Sequence, residues 1–131
     1  MVLFMVMQQE NLKSLLLALL LVAPGFSHAG DAGKGLSVFE EECGDCHAAK
    51  AGKNKKGPSL FGVVGRKAGT IADFGKYSDA MKNSGITWSR DKLDAYITHP
   101  KEVVSGGKMK YDGLAKASDR GDLLEFLAAQ R

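Results

Sequence analysis

The sequence predicts a small all-α domain over residues 30–131, built from three main helices and several short ones. No segment sustains the alternation of apolar and polar residues that a half-buried strand requires. Apolar residues at helical spacing, bounded by capping and stop residues, recur instead at three places. The chain has no internal repeat, and the region is too short for a second domain.

The first predicted helix follows Asp31, a residue type that caps helix N-termini. It runs to about Cys43, and we expect Leu36, Phe39 and Cys43 to share its buried face. A stretch rich in glycine and lysine then covers 48–76, where the glycines divide the chain into turns.

Two further helices are predicted in the middle of the domain. A short one covers about 78–85, and a longer one covers about 89–99, where Pro100 ends it. The inward side chains of the longer helix are Leu93, Tyr96 and Ile97.

The C-terminal part ends in a third main helix. A turn over 101–104 and an irregular segment over 105–111 precede it. We expect the helix to begin at a Ser118-Asp119 cap. Its apolar stripe consists of Leu123, Leu124, Phe126 and Leu127.

Residues 1–29 have the pattern of a signal peptide. An unbroken apolar run over 15–23 follows Lys13, and Ser27-His28-Ala29 ends in a small residue. This order predicts export and cleavage after Ala29. The run is shorter than the roughly 20 apolar residues that cross a bilayer, and an uncleaved membrane anchor is the alternative. The net charge of +3 is too small to indicate a nucleic-acid partner.

Both cysteines of the chain lie in the motif Cys43-Gly-Asp-Cys46-His47. Cys-x-x-Cys-His is the attachment signature of a c-type haem. Thiols three residues apart lie on one side of a helical turn, so both can form thioethers with the vinyl groups of one haem edge. The adjacent histidine then ligates the iron. A dithiol redox protein would need a βαβ context, and a zinc site would need more ligands than residues 30–131 supply.

A covalently held haem also accounts for two other features. A domain of this size buries a modest share of its surface, so the haem would form a large part of its core. The stretch over 48–76 is long for a compact domain, and we expect it to wrap one edge of the flat cofactor. Export agrees with the cysteines, since thiols must meet haem outside the reducing cytosol.

The sixth ligand of the iron separates electron carriers from catalysts. Three side chains of residues 30–131 compete for this position: Met81, His99 and Met109. Met109 is favoured because it lies in a glycine-rich segment, where loops commonly carry function. Met81 falls within a predicted helix, where a core role is expected. His99 precedes Pro100 at a helix end, where a surface or capping role is the default.

The domain resembles the soluble class I cytochromes c of the mitochondrial and photosynthetic-bacterial type. The likeness covers essentially all of residues 30–131 and keeps the family's order and nearly its spacing. Beyond the Cys43–His47 motif it is carried by Gly35 and Phe39, Gly57-Pro58-Ser-Leu60 with the run to Gly69, Tyr77-Ser-Asp-Ala80, Gly85-Ile-Thr-Trp88, Leu93, Tyr96, Pro100, Gly106-Gly-Lys-Met109 and the run from Leu123 to Leu127.

The resemblance implies a role for several residues. His47 and Met109 would be the axial ligands, and the backbone carbonyl of Pro58 would accept a hydrogen bond from the far nitrogen of His47. Tyr96 would stand beside the Met109 sulfur. Gly35 would let the first helix cross closely against Phe126 of the last. Three residues would hold the haem propionates: Arg66, Tyr77 and Trp88.

The chain departs from the family in three respects. The residues before the ligand methionine are Ser105 and Gly107 in place of proline and threonine, so we expect a looser segment there. Met81 replaces a polar residue that orders an internal water, so we expect a drier site. Glu42 and Asp45 place negative charge beside the exposed haem edge, where mitochondrial members are basic or neutral.

The resemblance implies a periplasmic, monomeric carrier of single electrons that is not an enzyme. Its expected donor is a membrane cytochrome bc complex or a periplasmic dehydrogenase, and its acceptor is a terminal oxidase or a photosynthetic reaction centre. Lysines that would frame the haem edge would steer acidic partners. They are Lys50, Lys53, Lys55, Lys56, Lys101, Lys108, Lys110 and Lys116. The alternative is a haem-based peroxidase or gas sensor in which Met109 dissociates readily.

Overall fold

The computed structural model describes residues 30–131, and the predicted signal peptide over 1–29 lies outside them. The described chain forms five helices: α1 (Ala32–Glu42), α2 (Asp79–Lys82), α3 (Arg90–Thr98), α4 (Pro100–Val103) and α5 (Ala117–Ala129). β structure within this region is limited to one isolated antiparallel bridge between Lys67 and Thr87. The predicted all-α class, with three main helices and short ones between them, is confirmed. None of these helices is long and apolar enough to cross a membrane.

Helix α1 crosses α5 at close range. The side chain of Asp31 caps α1 as predicted, because it accepts hydrogen bonds from two backbone amides of the first turn. A Cβ atom added to Gly35 would overlap the backbone carbonyl of Asp122 and lie 2.8 Å from the Cβ of Phe126. One turn further on, the rings of Phe39 and Phe126 pack with centroids 5.3 Å apart. The close crossing that the resemblance implied for Gly35 is present.

The prediction that Leu36 faces the core is wrong. Leu36 is 43% exposed, whereas Phe39 is 6% exposed. The buried face of α1 follows Gly35, Phe39 and Cys43 at steps of four residues. Because each helical residue turns by about 100°, Leu36 lies to one side of that face. The apolar pattern does not count glycine as a core residue, although Gly35 lies at the contact between α1 and α5.

The chain over 48–76 contains no helix and is ordered by polar contacts to its own backbone. The Ser59 side chain is 2% exposed, and its hydroxyl donates to the Lys50 carbonyl at 2.5 Å. The Arg66 guanidinium donates to the carbonyls of Ser59 and Phe61, both at 2.9 Å. Turns in this loop use positive φ angles at Gly52, Gly62, Gly65 and Gly69.

Two helix boundaries differ from the prediction in the centre of the domain. Pro100 ends α3 as expected, but it is also the first residue of α4, where a missing N–H costs no hydrogen bond. The predicted turn over 101–104 is therefore this short helix. Helix α2, capped by the Ser78 hydroxyl, ends at Lys82 rather than near Gly85.

The predicted start of α5 at a Ser118-Asp119 cap is also wrong. The helix begins at Ala117, and Lys116 precedes it without a side-chain cap. Asp119 lies instead within the first turn, where the helix dipole favours a carboxylate, and it pairs with Lys116 at 3.0 Å. The predicted apolar stripe is confirmed, since all its members are buried: Leu123, Leu124, Phe126 and Leu127.

Candidate haem site

The two thiols follow directly from the end of α1. Cys43 closes the helix through a hydrogen bond from its N–H to the Phe39 carbonyl, and the Cys43 carbonyl accepts from the amides of Cys46 and His47, at 3.1 and 2.8 Å. Both thiols lie on this single turn, and both are free. The turn keeps the two residues of the attachment motif next to each other at the end of α1.

The environment of Cys43 argues against a dithiol redox function. Burial, reinforced by the negative charge of Glu42, raises the pKa of the Cys43 thiol to about 12. Reactive cysteines of the Cys-x-x-Cys type have a lowered pKa, because the thiolate is the nucleophile. A zinc site is also unsupported, since residues 30–131 contain no group of three or more His, Cys, Asp or Glu side chains that could hold a metal.

His47 is prepared for metal ligation by its hydrogen bond. Its Nδ1 lies 2.7 Å from the carbonyl oxygen of Pro58. Because a carbonyl can only accept, Nδ1 carries the proton, and Nε2 keeps its lone pair for a metal. Burial lowers the pKa of His47, which favours the neutral ring that a metal needs. The hydrogen bond to Pro58 that the resemblance implied is present.

Gly57 fixes the plane of this imidazole. A Cβ atom added there would overlap Cε1 of His47 and lie 2.7 Å from its Nδ1. The amide of Gly57 donates to the Cys46 carbonyl at 2.8 Å, which ties the loop to the turn that carries the thiols. Only a residue without a side chain allows the loop to approach the ring so closely.

Met109 lies between α4 and α5, and its sulfur accepts a hydrogen bond. The Tyr96 hydroxyl is 3.8 Å from the Met109 sulfur. Tyr96 is buried on α3, and burial raises its pKa to about 12, so the hydroxyl remains a donor. Met109 itself is half-buried and packs against the core. The placement of Tyr96 beside this sulfur agrees with the expectation from the resemblance.

The two competing ligands lie in different surroundings. Met81, on α2, packs against the core and is partly buried. The His99 side chain is exposed between α3 and α4 and caps neither helix. Both placements agree with the roles predicted for them, a core residue and a surface residue.

The residues expected at the propionates lie in three neighbouring loops and turns. Trp88 is buried, and its ring packs against Tyr96 with centroids 4.8 Å apart. The Tyr77 hydroxyl accepts a hydrogen bond from the amide of Ile71 at 3.3 Å. Arg66 is engaged with backbone carbonyls, so it orders the loop. Contact of these side chains with propionates stays a prediction.

Sequence reasoning missed one link across the site. The Tyr111 hydroxyl donates to a carboxylate oxygen of Glu42 at 2.6 Å, over a separation of 69 residues. Burial and this bond raise the pKa of Tyr111 well above its ordinary value. The local sequence pattern marks Glu42 only as a negative charge and does not indicate that Tyr111 is its partner.

The chemistry of these side chains fits an iron porphyrin. A neutral imidazole offers a nitrogen, a thioether offers a soft sulfur, and two thiols stand at the attachment spacing. Gly57 provides a close-fitting cradle for the imidazole. Partly buried apolar side chains packed against the core offer contact surface for a flat ring: Leu60, Val64, Met81, Ile97 and Leu114.

Comparison with known proteins agrees with a haem site in this domain. No protein-family model matches the chain. Cytochrome c of Cochliobolus lunatus is 48% identical over 99 residues, which are 75% of this chain and 91% of the relative. Cytochrome c of Arabidopsis thaliana is also 48% identical, over 75% of this chain and 88% of the relative. The solved structure of cytochrome cH from Methylobacterium extorquens superposes with a TM-score of 0.70 at 40% identity, covering 76% of this chain and 98% of that one.

Proposed function

This chain belongs to the cytochrome c family, and from that premise we propose that it is a periplasmic carrier of single electrons with His47 and Met109 as axial ligands. Its fold is the small all-α cytochrome c fold, and its cofactor is a covalently bound haem c. Cys43 and Cys46 would hold this haem through two thioethers. When bound, the haem supplies a reversible one-electron change at its iron.

The observation that carries the proposal is that the side chains of both proposed ligands, His47 and Met109, are held by hydrogen bonds. The Pro58 carbonyl accepts a hydrogen bond from Nδ1–H of His47, which leaves the Nε2 lone pair for a metal. The Tyr96 hydroxyl occupies one lone pair of the Met109 sulfur and leaves the other free. With His47 and Met109 both bound to the iron, no position would remain for a substrate. The protein would therefore act as a carrier rather than as an enzyme.

The predicted signal peptide over 1–29 supports export to the periplasm. The lysines expected at the haem edge are all exposed, which supports transient encounters with acidic surfaces. On this basis the donor is a membrane cytochrome bc complex or a periplasmic dehydrogenase, and the acceptor is a terminal oxidase or a reaction centre. The carrier would work as a monomer.

Replacement of Met109 by alanine tests the ligand assignment, with Met81→Ala as the matched control. The Met109 variant should keep its haem, because both thiols and His47 remain. It should lose the methionine-to-ferric charge-transfer band and bind cyanide quickly. Met81→Ala should keep the band. An unchanged spectrum for Met109→Ala, or loss of the band in Met81→Ala instead, would contradict the assignment.

One observation favours the rival function, a haem-based peroxidase or gas sensor with a labile methionine. Among the described residues, the segment 108–113 makes no backbone–backbone hydrogen bonds, so only side-chain contacts oppose its opening. Rapid binding of cyanide or carbon monoxide by the wild-type protein, together with a high-spin spectrum of the oxidised protein, would support the peroxidase or gas-sensor function.

A further inference from the structure

The segment 108–113, which carries Met109, is held by side chains rather than by its backbone. Its flanks are fixed by hydrogen bonds from the Gly107 amide to the Val104 carbonyl and from the Leu114 amide to the Ile97 carbonyl, at 3.0 and 2.9 Å. Between these anchors, the described structure shows three polar side-chain contacts from the segment to the rest of the protein. They are Met109 with Tyr96, Asp112 with Lys101, and Tyr111 with Glu42.

These three contacts differ in strength. The ion pair between Asp112 and Lys101 joins side chains that are 96% and 72% exposed, and exposed pairs contribute little. The contact from Tyr96 to the Met109 sulfur uses a weak acceptor. The bond from the Tyr111 hydroxyl to Glu42 is short, at 2.6 Å, and its acceptor is a carboxyl oxygen, so it is the strongest of the three.

The contact between Glu42 and Tyr111 also differs in what it connects, because it joins the methionine segment to the motif that carries the thiols. Glu42 is the last residue of α1 and directly precedes Cys43. Tyr111 lies two residues after Met109. With Cys43 joined to the haem by a thioether, Glu42 would be held near the haem by its neighbour in the chain. The bond from Tyr111 to Glu42 would then hold the methionine segment near the same haem.

We propose that Glu42 and Tyr111 form a clamp that keeps Met109 on the iron, with both acting as positioning residues. The inference rests on the proposed ligation by Met109. Opening of the clamp would release one side of the segment and raise the population in which the sixth position is accessible. An added ligand that competes with Met109 binds in proportion to that population, so its apparent affinity reports the strength of the clamp.

The test is the affinity of imidazole for the oxidised, haem-loaded protein at fixed pH. Tyr111→Phe removes the donor, and Glu42→Ala removes the acceptor. Each should tighten imidazole binding by about three- to tenfold, the range expected for loss of a partly exposed hydrogen bond to a charged group. The double variant should bind no more tightly than the stronger single variant, because both changes remove the same bond. Glu42→Gln, which keeps an acceptor, should fall between the wild type and Glu42→Ala.

Two matched variants separate the clamp from other effects. Asp112→Asn breaks the exposed ion pair in the same segment and should change imidazole affinity by less than about twofold. Glu41→Ala removes an exposed charge from the adjacent position of α1 and should have as little effect. Denaturant unfolding of each variant gives overall stability. If the pair only stabilised the fold, the unfolding midpoint would fall while imidazole affinity stayed the same.

The outcomes distinguish this inference from the proposed function. If the wild type lacks the methionine charge-transfer band, both the ligation and the clamp are wrong. If the wild type has the band but Tyr111→Phe and Glu42→Ala bind imidazole as it does, the clamp alone is wrong. Additive effects in the double variant would also overturn the clamp, since two independent contributions would then be present. If the Tyr111 variant fails to fold, the imidazole affinity of Glu42→Ala decides the question, because Glu42 is exposed and its replacement should not prevent folding.

Discussion

At the scale of single residues, His47 shows how its neighbours determine its chemistry. The Pro58 carbonyl assigns the proton to Nδ1, and Gly57 allows the loop to pack directly on the ring. These two contacts fix both the tautomer and the plane of the imidazole. Such outer contacts commonly matter nearly as much as the ligand itself.

A methyl group at Gly57 should therefore disturb the haem site. Gly57→Ala would place Cβ over the His47 ring and force the imidazole or the loop to move. We expect a lower yield of haem-loaded protein and a shifted midpoint potential, measured by redox titration. Gly75→Ala is the matched control, because a Cβ there meets nothing within 4 Å. Equal potentials and yields for the two variants would show that the close approach of Gly57 has no role.

Residue-level prediction is possible where the chemistry is local in sequence. The cysteines and His47 are recognised because their spacing on one turn is the functional requirement. The pairing of Tyr111 with Glu42 was not predictable, because it joins positions 69 residues apart and follows from the tertiary path of the chain. Local sequence patterns cannot predict a contact between residues so far apart in the chain.

At the scale of elements, the crossing of α1 and α5 joins the two ends of the domain. The contact depends on Gly35, since its missing side chain leaves room for the backbone of Asp122 and for Phe126. Phe39 then fills the space one turn along. This crossing positions the end of α1, and therefore Cys43, relative to the C-terminal helix.

Two glycine substitutions should have opposite effects on stability. Gly35→Ala introduces a clash with backbone atoms of α5 and should lower the free energy of unfolding by about 1–3 kcal/mol. Gly121→Ala lies within α5 with open space around its Cβ, so it should raise stability by about 0.5–1 kcal/mol. Denaturant unfolding of the haem-loaded proteins measures both. Stabilisation by Gly35→Ala would refute the close crossing.

Element boundaries were less predictable than element existence. Apolar spacing predicts all three main helices. The predicted Asp31 cap is confirmed, because its carboxylate accepts hydrogen bonds from two backbone amides. Ser118 has the residue type of a cap but lies within α5, which begins at Ala117 and whose first turn is joined to Lys116 by the ion pair with Asp119. Apolar spacing predicts Leu36 in the core because it does not count glycine, whereas Gly35 makes the actual contact with α5.

At the scale of the whole molecule, charge is distributed unevenly around the expected haem edge. Exposed acids gather at the end of α1 and at Asp45, whereas Lys108 and Lys110 flank Met109. The net charge is only +3, so the local arrangement governs encounters more than the total does. Surface potentials of this kind act on association rates and weaken as salt is added.

Reversal of two charges beside Met109 should alter electron exchange with charged probes. The double variant Lys108→Glu and Lys110→Glu should be oxidised more slowly than the wild type by anionic ferricyanide. It should be oxidised faster by cationic tris(phenanthroline)cobalt(III), and both differences should shrink at high ionic strength. Lys34→Glu is the control, because Lys34 lies about 13 Å from Cys43 along α1. Lys34→Glu reverses one charge and the double variant reverses two, so a logarithmic rate change half as large for Lys34→Glu would mean that net charge alone acts.

Carbon monoxide binding to the reduced, haem-loaded protein tests the central claim most directly, because the gas binds ferrous haem only at an open position. If Met109 closes the iron, the absorption spectrum of the reduced wild type should not change on adding the gas, while the Met109→Ala variant should form an adduct at once. Rapid formation of the same adduct by the wild type would contradict a closed electron carrier.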